Sequence, residues 1–179
     1  TKINKSVRFI VYLHEWDIDM IKVLILVDKF RGSLTAREVS EAIARGLVTY
    51  HEPLEIVKVP LADGGEGTLE ALESKETERI FVESFDPLGR GIKVPVLKTG
   101  ERVLIEMAKS TGLNLLARDE RNPLYTSTYG LGVVIRQVAR MGFKDILIGI
   151  GGSATNDGGA GMLEALGFRF TDEDGRDVR

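Results

Sequence analysis

The chain contains no cysteine, which excludes disulfides and thiolate metal sites and suits a reducing compartment, so a cytoplasmic protein is expected. It has only two histidines, His14 and His51, far apart in sequence and outside every glycine-rich stretch. That argues against a histidine metal site and against a histidine-based triad. No apolar run approaches the roughly 18 residues a transmembrane helix needs, so no membrane partner is expected. Neither sign of charge dominates: 24 basic and 27 acidic residues leave a net charge of -3, spread along the chain. A nucleic-acid footprint or a polybasic membrane patch is therefore not expected. Repeats and low-complexity segments are lacking too. The length, 179 residues, allows one domain or two small ones with a substantial core.

Glycine, by contrast, is abundant and concentrated. The stretch Asp145 to Gly167 reads DILIGIGGSATNDGGAGMLEALG, with six glycines in the thirteen residues 149–161. Ile146, Leu147, Ile148 and Ile150 form the apolar run of a buried parallel strand. Met162, Leu163 and Leu166 then recur at helical spacing, and Gly167 stands where a C-cap glycine belongs. Strand, glycine-rich loop and helix together can hold an anion, because backbone N–H groups and the helix dipole favour negative charge. Gly151, Gly152 and Gly158 allow close approach to a phosphate, and Ser153, Thr155 and Asn156 add donors. Asp157 is placed to hold a cation or to cap the helix. A Lys-Ser/Thr pair does not follow, so this is not a Walker A loop. A tight strand-to-helix turn, with glycines for geometry alone, is the competing explanation.

Residues 1–19 differ from the rest, with a short apolar run from Phe9 to Leu13 flanked by charges. They lack the pattern of a signal peptide, and Met20 is a plausible natural start, so their status as tag, extension or edge strand stays open. Ile21 to Val27 is the first confident strand, apolar enough for a parallel sheet covered on both faces. Thr35-Ala36-Arg37-Glu38 is a capping box, and the helix after it carries Val39, Ala42, Ile43, Leu47 and Tyr50 on one face. A second strand, Ile56 to Val59, completes a βαβ unit. Ligands in such sheets sit beyond the carboxyl ends of the strands. Asp28, Lys29, Arg31 and Ser33 occupy one such end, and Ala62-Asp63-Gly64-Gly65-Glu66-Gly67-Thr68 the other. Asp63 and Glu66 repel each other unless a cation or proton lies between them. Magnesium with phosphate would satisfy that need; a solvated turn with Thr68 capping a short helix is the plainer reading.

From Glu78 the pattern becomes an antiparallel meander, with strands at Ile80–Val82, Ile92–Leu97 and Val103–Ile105 separated by turns. A hydroxyl-rich loop, Thr126-Ser127-Thr128, then leads into a helix through Val133, Val134, Gln137, Val138 and Met141. Its hydroxyls suit a phosphate or a helix cap equally. Phe168-Arg169-Phe170 and the turn 172–175 invite a returning strand that the chain barely supplies, so a continuation beyond Arg179 is expected. The fold class is α/β, a Rossmann-like parallel sheet portion plus a second mixed module. Residues 1–19 are set apart, 20–75 form part of the first domain and 76–179 part of the second.

Five runs, DKFRGSLTA at 28–36, PLADGGEGT at 60–68, IEMAKSTGL at 105–113, NPLYTSTYG at 122–130 and IGIGGSATNDGGAGMLEALG at 148–167, resemble the bacterial glycerate kinase family, in the family's own order. The resemblance covers Met20 onward and matches the amino-terminal half of the family. It implies a two-domain α/β fold, D-glycerate as substrate and ATP with magnesium. In this chain Lys29 and Arg31 stand where the family usually has serine and lysine, and Gly130-Leu131-Gly132-Val133 replaces Gly-Thr-Gly-Glu.

On that resemblance, ATP phosphates are expected on Gly151, Gly152, Ser153, Thr155, Asn156 and Gly158, with magnesium on Asp157 or Asp63. Asp63 or Asp28 serves as base, and Lys29, Arg31, Ser33 and Glu66 meet glycerate. The roles of the two glycine loops could be exchanged. The competing functions are a non-catalytic phosphometabolite-binding module and a half that acts only when the missing elements are supplied.

Overall fold

The computed structural model describes residues 20–30, 32–49 and 53–178. The expectations for residues 1–19, Arg31, Tyr50 and His51 fall outside the described residues. The chain divides into two compact units between Asp63 and Gly64.

In the first unit, strand β1 (Ile21–Val27) pairs in parallel with β2 (Leu54–Pro60), from Ile21 opposite Leu54 to Val27 opposite Pro60. The crossover is helix α1 (Ala36–Leu47), which starts at the expected capping box. Thr35 Oγ1 accepts from Glu38 N at 3.2 Å and Glu38 Oε2 accepts from Thr35 N at 2.7 Å, so two otherwise unpaired donors are satisfied. Val23, Ile25 and Val27 pack on Val39, with Ile43, Ala44 and Leu47 around them. Ala42, expected on the buried face, is exposed, and Ala44 takes that place.

The second unit holds a four-stranded mixed sheet in the order β3-β4-β5-β6: β3 (Glu78–Phe85), β4 (Gly91–Thr99), β5 (Arg102–Glu106) and β6 (Asp145–Gly149). The first three form the expected antiparallel meander, and β6 joins β5 in parallel. Helix α4 (Tyr129–Arg140) covers one face, placing Leu131, Val134 and Val138 on Val82, Val94, Val96, Val103 and Ile105. Short α2 (Thr68–Leu72) puts Leu69 on Leu97 and Leu104 of the other face. That packing places α2 in the second unit, although its sequence position groups it with the βαβ segment. Helices α3 (Ala108–Thr111) and α5 (Ala160–Ala165) complete the unit.

The strand before the glycine-rich loop is parallel but not buried on both faces. Among the described residues β6 is the outermost strand of its sheet, with Leu147 51% exposed and Ile150, just beyond it, 74% exposed. A continuous apolar run predicts a strand covered on both faces, and periodicity cannot reveal which elements supply that cover. Phe168–Phe170 is not a strand; the turn after it closes through an isolated bridge between Thr171 and Asp177.

Candidate active site

In the first unit, the loop after β1 and the end of the segment after β2 bring three expected residues together. Lys29 Nζ lies 2.9 Å from Asp63 Oδ1 and 3.9 Å from Asp28 Oδ1, and the Lys29 N–H donates to Asp28 Oδ1 at 2.7 Å. The Lys29 side chain is only 17% exposed, so its ammonium is fixed between the two carboxylates rather than swept through solvent. Ser33 is exposed in a tight turn, its N–H donating to the Phe30 carbonyl at 2.9 Å. Arg31 is not described.

The second unit brings the two glycine-rich loops into direct contact. The Gly151 N–H donates to the Gly64 carbonyl at 2.9 Å, and Met107 N to the Gly149 carbonyl at 2.9 Å. A Cβ on Gly151 would lie 2.6 Å from Gly65 Cα, and one on Gly149 would lie 2.6 Å from Gly64 O. Glycine is therefore demanded here by backbone meeting backbone, a different reason from approach to a ligand. We expect Gly151→Ala to push the 64–65 segment away and to cost about 2 kcal/mol, as overpacking does. Thermal unfolding of the variant checks this; a melting curve matching the unmodified chain would show that the two loops do not press together.

Beyond that junction, Ala154 N donates to the Thr111 carbonyl at 2.8 Å and Leu113 N to the Gly152 carbonyl at 3.1 Å, so α3 and its following turn hold the loop. Ser153 Oγ lies 2.8 Å from Thr155 Oγ1 and accepts from Thr155 N at 3.1 Å. Asn156 and Gly158 are exposed. Glu66 is also exposed, and Asn114 Nδ2 donates to its Oε1 at 3.4 Å.

Asp157 occupies the start of α5 and faces the start of α4. Its Oδ2 accepts from Thr128 N at 2.8 Å, Thr128 Oγ1 at 2.8 Å and Gly161 N at 3.1 Å, and its Oδ1 accepts from Gly159 N at 3.2 Å. Burial is the largest single influence and pushes its proton affinity up, but the bonds from Thr128, Gly161 and Gly159 together hold it below the usual carboxylate range. Of the two roles open to Asp157 in the sequence, this geometry is that of the cap. A cation here would compete with four donors already aimed at the carboxylate, so Asp157 does not fit a magnesium ligand.

The hydroxyl loop is engaged in the same way. Thr126 Oγ1 donates to the Ala154 carbonyl at 2.9 Å, Ser127 Oγ accepts from Tyr129 N at 3.1 Å, and Thr128 Oγ1 accepts from Met162 N at 2.9 Å. All three hydroxyls thus serve local structure, which the count of hydroxyls by itself could not decide. Among the described residues no group of three or more Asp, Glu or His side chains is arranged to hold a metal ion. A magnesium ion carried in on phosphates needs only one or two carboxylates, and Asp63, with a side chain 62% exposed, fits that lesser demand.

One residue that sequence patterning passed over is Glu106, at the end of β5. It is wholly buried, and its oxygens accept from Gly67 N at 3.2 Å and Leu69 N at 3.0 Å. A glutamate closing an otherwise apolar strand was the available signal.

Residues 23–179 match the model of the glycerate kinase family. The chain is 42% identical over 161 residues to the glycerate kinase of Bacillus subtilis (strain 168), covering 88% of this chain and 42% of that protein. It is 41% identical over 162 residues to the glycerate 2-kinase of Escherichia coli (strain K12), again covering 88% and 42%. The crystal structure of a protein described as glycerate kinase 2 from Salmonella typhimurium LT2 superposes with a TM-score of 0.68 at 42% identity, over 88% of this chain and 43% of that one. The chain thus spans about two fifths of the length of these relatives. A family match over nearly all of the described residues, a shared fold and this level of identity make the chain a member of the glycerate kinase family.

Proposed function

We propose that this chain carries part of the active site of an ATP-dependent glycerate kinase, which transfers the terminal phosphoryl group to D-glycerate and yields 2-phosphoglycerate. The observation that carries the proposal is the junction of the 64–67 and 149–153 loops at the carboxyl ends of β5 and β6, where ligands of such sheets sit, in a chain of this family. Gly151, whose N–H is engaged by the Gly64 carbonyl, shapes the loop, and Gly152, Ser153, Thr155, Asn156 and Gly158 then bind the nucleotide phosphates, with the hydroxyls of Ser153 and Thr155 among the donors. Lys29, Arg31, Ser33 and Glu66 bind and orient glycerate. Asp63, with Asp28 on the other side of Lys29, accepts the proton of the attacking hydroxyl. Phosphoryl transfer requires placement and charge neutralisation more than covalent chemistry, so rigid loops and a fixed ammonium suit it. Asp63 would hold a magnesium ion, which would supply further neutralisation of charge on the transferred group.

The test is a turnover assay with ATP and D-glycerate, on this chain and on an intact relative such as the Bacillus subtilis protein, with the product identified by phosphorus NMR. Formation of 2-phosphoglycerate is expected from the intact protein. Nucleotide binding without phosphoryl transfer in both would leave a binding module, and 3-phosphoglycerate would overturn the regiochemistry.

A further inference from the structure

Glu106 is an unusual fastening for a surface loop. It is 0% exposed and stands at the end of β5, opposite Gly149 of β6 in register. Gly67 begins α2 at φ +91°, a conformation glycine tolerates but one that leaves the helix without a capping side chain. Glu106 supplies the missing cap from another strand, giving one oxygen to Gly67 N and the other to Leu69 N. Lys109 Nζ, 3.7 Å from Glu106 Oε1 and 3.0 Å from Glu70 Oε1, partners the buried charge. On its other side, the same loop is held by the Gly151–Gly64 hydrogen bond. The segment Gly64 to Gly67 is therefore pinned at both ends by groups rooted in β5 and β6.

We infer that Glu106 is a positioning residue, which fixes the 64–67 loop and through it sets Glu66 at the glycerate subsite. The inference rests on the proposed function for the role of Glu66, and on the geometry alone for the fixing of the loop. The energetics separate this role from that of a simple structural anchor. Burial, the foremost influence, raises the proton affinity of Glu106; Lys109 and the two N–H bonds oppose it, and Glu70 adds to it. A carboxyl whose proton affinity is raised by folding favours the folded state fully below its usual range, and loses that contribution as pH rises through its raised value. At neutral pH the neutral isostere Gln should therefore fold about as well, while its NH2 group cannot accept the second N–H of the loop.

The experiment is Glu106→Gln in this chain, followed by site-resolved amide exchange, thermal unfolding and titration with D-glycerate and with ATP. The amides of Gly67 and Leu69 should exchange about tenfold faster or more, as the loss of one hydrogen bond implies, with Val94, Val103 and Ile105 unchanged. Melting should shift by no more than about 3 °C. D-glycerate affinity should fall about tenfold while ATP affinity stays within about twofold, since only the 64–67 loop is loosened. Unchanged exchange at Gly67 and Leu69 overturns the inference. So does faster exchange with unaltered D-glycerate affinity. If the unmodified chain binds no D-glycerate, the reading of the subsite fails, and the exchange data still decide whether Glu106 holds the loop. Should Glu106→Gln not fold, the unmodified chain decides: Gly67 and Leu69 amides should exchange at least about tenfold more slowly than that of exposed Glu66, and equal rates refute the tether.

Discussion

Asp157→Asn is expected to destabilise the second unit by about 3 kcal/mol while leaving its strands intact. The carboxylate accepts from Thr128 N, Thr128 Oγ1, Gly159 N and Gly161 N, and so joins the beginnings of α4 and α5 through one side chain. An amide of the same shape offers one acceptor oxygen, and its NH2 group faces donors with nothing to accept it. Thr128 Oγ1 also accepts from Met162 N, so loosening Thr128 propagates into α5. For a chain of this size a loss of about 3 kcal/mol lowers the melting temperature by roughly 10 °C.

The pH dependence has a definite sign. Folding depresses the proton affinity of Asp157, so its stabilisation is present above the usual carboxylate range and is lost as pH falls through the depressed value. The gap in melting temperature between Asp157→Asn and the unmodified chain should be full at neutral pH and should narrow with increasing acidity below about pH 4. Equal melting at neutral pH would deny Asp157 the capping role. If the intact enzyme carrying the variant also showed a raised magnesium requirement, the carboxylate would return to the metal.

Asp63→Asn, made in the intact enzyme, should lower turnover by about a hundredfold or more, by analogy with other charged groups that act in the transition state. The side chain keeps its shape and loses its charge. Its partner Lys29, 2.9 Å away, is then left with Asp28 at 3.9 Å, so the ammonium shifts its interaction to the other carboxylate. Exposed ion pairs contribute little to folding, so stability should change by less than about 1 kcal/mol. Nucleotide affinity should change much less than turnover, because the proposed phosphate site is the other glycine loop. Turnover, ATP affinity and melting measured together decide the matter. Near-normal turnover removes Asp63 from the chemistry, whereas equal losses in ATP affinity and turnover would make it a binding residue.

Much of the architecture was legible because its causes are local. The capping box at Thr35–Glu38 names its helix without any tertiary information, and the turns between β3, β4 and β5 mark the meander. Loops at strand ends pointed to Lys29, Asp28 and Asp63, and those three do meet. The five ordered motifs at 28–36, 60–68, 105–113, 122–130 and 148–167 placed the chain in its family. Other features were underdetermined for a physical reason. The same residue type serves two purposes, and only its spatial neighbours tell which.

Composition, strand and helix periodicity, and the order of the glycine-rich motifs determined the α/β class and the family, because these depend on residues near one another in the chain. The tertiary structure alone decided that Gly149 and Gly151 make room for Gly64 and Gly65, distant in sequence. It alone turned the three hydroxyls at 126–128 and the Asp157 carboxylate toward each other and their neighbouring backbone, and set Glu106 beneath the 64–67 loop. A buried polar group must find a partner wherever the fold brings one, and those partners lie 28 to 39 residues away along the chain, beyond the reach of any local pattern.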